Sequence, residues 1–256
     1  MTRQSGIFTQ FLTATAVLTR LPVTPPIVDD GTPAAGVVAR CCWAFPAVGA
    51  GVGGIAAAVL LLAMLLGLHS APAALLAIVA TGFLTGALHE DGLADTADGL
   101  GGGRDRDEKL AIMRDSRHGS YGVIALILTI GLRATALAAI GEPFGGALAL
   151  IAAHTASRAF LPPAMHLLRP ARPDGLGAAA GRPSAANALV ALAIGVVVAL
   201  GTLGPVLGMA ALALSGMAVA ATAALAQRQI GGYTGDVLGA FQQIGEIVML
   251  LVAAAR

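Results

Sequence analysis

The sequence predicts an all-α protein, a polytopic integral membrane bundle of about seven transmembrane helices preceded by an N-terminal interfacial or re-entrant helix. Composition is the first reason: the 256-residue chain is 57% hydrophobic and only 11% charged, where soluble domains run near ~25% charged residues. Mean hydropathy is the second, at +0.82. Third, several apolar runs reach the ~20 residues that a helix needs to cross a bilayer. In lipid such runs must be helical, because each backbone N–H and C=O has to be satisfied within its own segment. A net charge of +1 provides no global field for nucleic acid.

The elements follow in chain order. Residues 6–18 are apolar but interrupted by Thr9, Gln10, Thr13 and Thr15, and no small-x-small cleavage site follows. They read as a retained, half-buried helix. Cys41 and Cys42 are adjacent, too few for a zinc site and poorly placed for a disulfide; they read as small apolar residues entering a helix. Spans are then expected over residues 43–68, 71–88, 120–140, 144–167, 185–203, 206–226 and 237–255. Glycines at 49, 51, 53 and 54 suit close helix packing. The whole chain, 1–256, reads as a single membrane-embedded domain.

The connections alternate in charge. Twelve of the fifteen basic residues fall on one side: Arg3, Arg20 and Arg40, then Arg104, Arg106, Lys109, Arg114 and Arg117, then Arg169, Arg172, Arg182 and Arg228. The opposite turns carry no Lys or Arg, and only Arg256 falls on that side. The positive-inside rule makes the basic face cytoplasmic. The expected location is an integral, multi-pass place in a bacterial inner or plasma membrane, with the polar loop at about 89–119 in the cytoplasm.

Residues 89–119 hold eight of the fourteen acidic residues. Asp91, Asp95 and Asp98 fall at i, i+4 and i+7, which puts three carboxylates on one face of a helix. Like charges stacked this way repel, and no base lies between His89 and Arg104, so the pattern calls for a cation. Carboxylate oxygens suit Mg²⁺ or Mn²⁺. Gly99 opens a glycine-rich stretch where a backbone can approach an anion. Arg114 and Arg117 could clamp phosphate oxygens, with Asp115 as their ion-pair partner or a further metal ligand. The alternating charges at 104–109 read as a solvated helix start, and His118 as an ordinary loop residue.

Deeper in the spans lie Arg133, His154, Arg158 and Glu246. Arg158 is a functional candidate because of its depth, and Glu246 is either a buried partner for Arg133 or Arg158 or part of the site. A second glycine-rich turn, with Gly232, Thr234 and Asp236, precedes the last span; Asp236 suits a metal or a helix N-terminus. Together these residues describe transfer of a phosphoryl-linked group at a membrane face.

The sequence resembles the cobalamin synthase family. The resemblance rests on Leu18-Thr19-Arg20-Leu21-Pro22-Val23, on HEDGLADTADG at 89–99, on IMRDSRHG at 112–119 and on GGYTGDVLGA at 231–240, in that order along the chain. Between about 135 and 230 it rests on hydropathy and on Ser157-Arg158. It implies an adenosylcobinamide-GDP ribazoletransferase activity: α-ribazole or its 5′-phosphate displaces GMP from adenosylcobinamide-GDP in an Mg²⁺-dependent reaction, giving adenosylcobalamin or its 5′-phosphate. By the same resemblance, Asp91, Asp95 and Asp98 hold the metal and diphosphate. Arg114, Arg117 and Arg158 stabilise developing charge on phosphate, and Asp236 is a metal ligand or the base; Gly99, Gly232 and Thr234 are candidate substrate contacts. It implies no essential role for Glu90 or His118. The expected partners are the two substrates and the bilayer, with a homo-oligomer or a complex with other late cobalamin-assembly enzymes as a further option.

Two other readings compete. DxxDG at 95–99 also occurs in CDP-alcohol phosphotransferases, but Leu100-Gly101-Gly102-Gly103 lacks the Ala-Arg that their longer motif needs. A secondary transporter would place its charges near the midplane, whereas here they gather at one face.

Overall fold

The computed structural model describes residues 6–23, 28–29, 32–33 and 36–255. It is helical apart from a two-residue antiparallel pair, Val28–Asp29 with Thr32–Pro33. Helix α1 (Ile7–Leu18) has 12 residues, or about 18 Å at 1.5 Å per residue, too short to cross a bilayer. Ile7 and Phe8 are exposed, and Trp43 Nε1 donates to Gln10 Oε1 at 2.6 Å, which ties α1 to the bundle. After α2 (Val37–Cys41) come α3 (Phe45–Leu65), α4 (Ser70–Thr85), α5 (Leu88–Gly102), α6 (Arg106–Ile112) and α7 (Ser120–Ile140). Then follow α8 (Pro143–Ala159), α9 (Leu161–Leu167), α10 (Leu176–Ala179), α11 (Ala185–Leu203), α12 (Pro205–Ile230) and α13 (Gly235–Ala254).

Among the described residues, six helical segments are long and apolar enough to cross a membrane by themselves, and the count is seven if the bent pair α4–α5 is taken as one span. This matches the expected spans except at the second. That span stops at Thr85, where Gly86 (φ 65°) and Ala87 (φ 54°) take left-handed backbone and turn the chain by 90° into α5. The acidic segment is therefore a helix set across the end of the bundle, not a loop continuing a span. The Leu18–Val23 motif braces this bend. Arg20 N–H donates to Leu84 O at 2.7 Å, and the Arg20 side chain leaves no room for a Cβ at Gly86.

The core is packed close by small residues. A Cβ on Gly53 of α3 would lie 2.8 Å from Ile151 Cα of α8. The most enclosed span is Pro143–Leu167, with α3, α11 and α13 around it. Successive crossings put residues 86–119, 168–184 and 231–234 at one end, and residues 66–69, 141–142 and 204 at the other. The loops rich in Arg and Lys share the first end with α5. Arg3 and Arg256, which entered the charge count, lie outside the described residues.

Candidate active site

The site is built where α5 lies on the start of α13. Contact is made through glycines: a Cβ on Gly92 would fall 2.8 Å from the Asp236 carbonyl and 3.2 Å from Gly239 Cα. This approach brings the carboxylates of α5 alongside Asp236. Asp91, Asp95 and His118 each offer a ligand atom, and those atoms lie within 4.8 Å of one another. His118 Nε2 is 3.8 Å from Asp91 Oδ1, and its Nδ1 is 3.6 Å from Asp95 Oδ1. Both contacts are too long for hydrogen bonds. Burial, then the Asp91 and Asp236 charges, push the Asp95 carboxyl up to about 6. The cluster thus has negative charge left uncompensated, and its oxygen donors fit a hard divalent cation. The imidazole is a poorer donor for Mg²⁺ than for softer metals.

Asp98 lies elsewhere. Its two oxygens accept from Gly119 N–H at 2.7 Å and Gly122 N–H at 2.9 Å, at the N-terminus of α7. Neither glycine has room for a Cβ beside that carboxylate. The structure therefore places Asp98 as the anchor between α5 and α7, apart from the Asp91–Asp95–His118 cluster.

The expected arginine clamps are also dispersed. Arg114 Nη2 is bound to both oxygens of Asp174 at 2.7 and 2.6 Å. Arg117 pairs with Asp115 through Nε at 3.1 Å and Nη2 at 2.7 Å, and this holds the exposed Asp115 carboxyl down at about 2. Asp115 does not join the acidic cluster. Arg158 is buried in α8 and bonds the ring and carbonyl of His154 at 3.1 and 3.2 Å, inside the bundle rather than at its end.

The glycine and threonine candidates have packing and capping places. A Cβ on Gly99 would collide with the Met113 side chain of the α6–α7 connection. At Gly232 (φ 159°) it would collide with the Arg169 carbonyl, where Tyr233 and residues 169–171 exchange backbone hydrogen bonds. Thr234 is buried, caps α13 by accepting from Val237 N–H at 3.3 Å, and donates to Asp236 Oδ2 at 3.0 Å. The 104–109 stretch starts α6 with Asp105 as its cap, but Arg106 is not merely solvated: it reaches the carbonyls of Ile230 and Ala171.

Arg172 was not singled out by the sequence. Its Nη2 lies 3.7 Å from Asp236 Oδ2, and its Nη1 is buried without a hydrogen-bond partner among the described residues. It is the guanidinium that borders the acidic cluster with donor capacity left over. No motif flags it; only the fold of the 168–184 loop onto residue 233 brings it there.

Beneath the cluster is a buried polar network. Arg133 binds Glu246 Oε1 at 2.9 Å and Glu90 Oε1 at 3.1 Å. Glu246 Oε2 is 3.0 Å from His154 Nδ1 and accepts from Gln242 at 2.6 Å. Arg133 is thus the partner of Glu246, one of the two that the sequence allowed. The network fixes Glu90, the residue next to Asp91.

A bundle of membrane-crossing helices with a carboxylate cluster at its basic end is the architecture of an integral membrane protein with a polar site at one face. The cobalamin-5-phosphate synthase family model matches residues 10–254, and the chain belongs to that family. A curated relative named adenosylcobinamide-GDP ribazoletransferase, from Bradyrhizobium diazoefficiens, is 55% identical over 94% of this chain and 92% of its own. Relatives with the same name from Mesorhizobium japonicum and Azorhizobium caulinodans are 50% and 44% identical, covering 85% and 97% of this chain and 83% and 96% of theirs. No solved structure matches the chain.

Proposed function

We propose that the protein joins α-ribazole, or its 5′-phosphate, to adenosylcobinamide-GDP and releases GMP. The observation that carries this reading is the convergence of Asp91, Asp95 and Asp236 at one end of the bundle, with Arg172 beside them, in a chain of this family. Asp91 and Asp95 would hold Mg²⁺, which would supply charge to offset the phosphoryl oxygens. Arg172 uses its spare N–H groups on the diphosphate. Asp236 takes the proton of the attacking ribose hydroxyl as the new O–P bond forms and the bond to GMP breaks. Asp98 positions α5 through α7, and the Arg133–Glu90 pair holds the first turn of α5. The face bearing these residues is cytoplasmic, and the host membrane is the bacterial inner membrane.

The test is reconstitution. Purified protein supplied with adenosylcobinamide-GDP and α-ribazole is expected to release one GMP per corrinoid product. GMP release without a coupled corrinoid would mean hydrolysis and would overturn the assignment.

A further inference from the structure

A groove of about 360 Å³ runs between α4 and α7 and ends at the acidic cluster. Its walls are apolar: Leu75, Ile78 and Val79 from α4, Leu126 and Ile130 from α7. Its other end is polar, lined by Glu90, Asp91, His118 and Arg133. Asp91 and His118 thus belong both to the groove and to the candidate site. Two buried polar atoms at this end, Glu90 Oε2 and Arg133 Nε, have no hydrogen-bond partner among the described residues. Arg133 itself is 1% exposed. A buried acceptor and donor left open are costly unless something meets them.

Gly82 of α4 also lines the groove. It sits in helical backbone, and a Cβ there would meet nothing within 4 Å. No neighbour requires glycine at 82, and glycine weakens a helix interior by about 0.5–1 kcal/mol relative to alanine. What its missing side chain leaves is space in the groove wall beside the polar end.

We infer that this groove seats the acceptor: a neutral, flat heteroaromatic base lies between α4 and α7, with its sugar hydroxyls at Glu90, Asp91 and His118. This rests on the transferase reading and assigns it a subsite. The apolar walls and polar end favour a ligand with one apolar end and one hydroxylated end. A phospholipid acyl chain would match only the apolar walls and leave the buried Glu90 and Arg133 atoms unmet. The placement delivers a hydroxyl to the cluster while the ring is held in the dry part of the groove.

The test fills the groove without disturbing the packing. Gly82→Leu adds a side chain where nothing stands, and it favours the helix. The inference predicts that Gly82→Leu raises KM for α-ribazole about tenfold or more, leaves KM for adenosylcobinamide-GDP within about twofold, and does not lower the thermal midpoint. Binding of α-ribazole alone, measured by calorimetry on the full chain in detergent, is expected to weaken by the same factor. An unchanged α-ribazole KM and affinity would overturn the inference, as would a variant that loses only co-purified lipid. Because wild-type protein is assayed in parallel, a failure of the transferase reading itself would show as absent coupled product there.

Discussion

If Asp95 binds Mg²⁺ as proposed, ligand and proton compete there. Its carboxyl, pushed up to about 6 by burial and by Asp91 and Asp236, binds a proton more tightly than a free aspartate does. Metal needs the ionised form. Mg²⁺ affinity is therefore expected to be flat above about pH 7 and to fall by up to about tenfold per unit as pH drops below about 6. Calorimetric Mg²⁺ titrations across that range check the sign; affinity that rises toward acid pH would contradict it. Asp98 behaves differently. Removing its carboxylate in Asp98→Ala strands two backbone N–H groups at the start of α7, a loss of about 1–3 kcal/mol for each one left buried. The variant should show a lowered denaturation midpoint in detergent, with Mg²⁺ restoring little of it. The i, i+4, i+7 spacing made the three aspartates legible as a set, since all three point within a narrow arc of the helix. Spacing gives the angle but not what packs against each turn. Asp98 lies about 10 Å along the axis from Asp91, where the N-terminus of α7 takes both oxygens. His118 and Arg172 were illegible for a related reason: they reach the cluster through tertiary folding of irregular segments.

At the scale of elements, the arrangement depends on α5 lying flat against α13. Gly92 and Gly239 allow that contact, and a side chain at either would lift α5 away from Asp236. Gly92→Leu should therefore separate Asp91 and Asp95 from Asp236. A displacement of the order of 1 Å costs about a hundredfold in rate, so turnover should drop by at least that much while helix content by circular dichroism stays unchanged. Near-normal turnover would show that Asp236 acts independently of α5. Hydropathy located the six spans that stand by themselves because the bilayer demands a long apolar run in each of them. It could not show the right-angle turn at Gly86–Ala87, since a bend changes no residue's polarity. Ala87, a non-glycine residue at φ 54°, carries no local signal for left-handed backbone either.

At the scale of the whole molecule, charge sets orientation and orientation sets the compartment of the chemistry. The connections with Arg and Lys share one end with the acidic cluster, while the turns at 66–69, 141–142 and 204 carry none. Both native cysteines are buried. A membrane-impermeant maleimide should therefore report on introduced thiols alone. In right-side-out vesicles it is expected to label His69→Cys and to spare Asp107→Cys, with the pattern reversed in inside-out vesicles. Labelling of Asp107→Cys from outside would turn the site away from the cytoplasm.

Whether Asp91 and Asp95 form a metal site that drives the transfer is tested most directly by GMP release as a function of Mg²⁺ for wild type and Asp95→Asn. Wild-type release is expected to saturate with Mg²⁺ and to vanish with a chelator, while Asp95→Asn remains folded and loses at least about a hundredfold of the rate at any Mg²⁺ concentration. Equal Mg²⁺ curves for the two proteins would contradict the account and move the metal site away from α5.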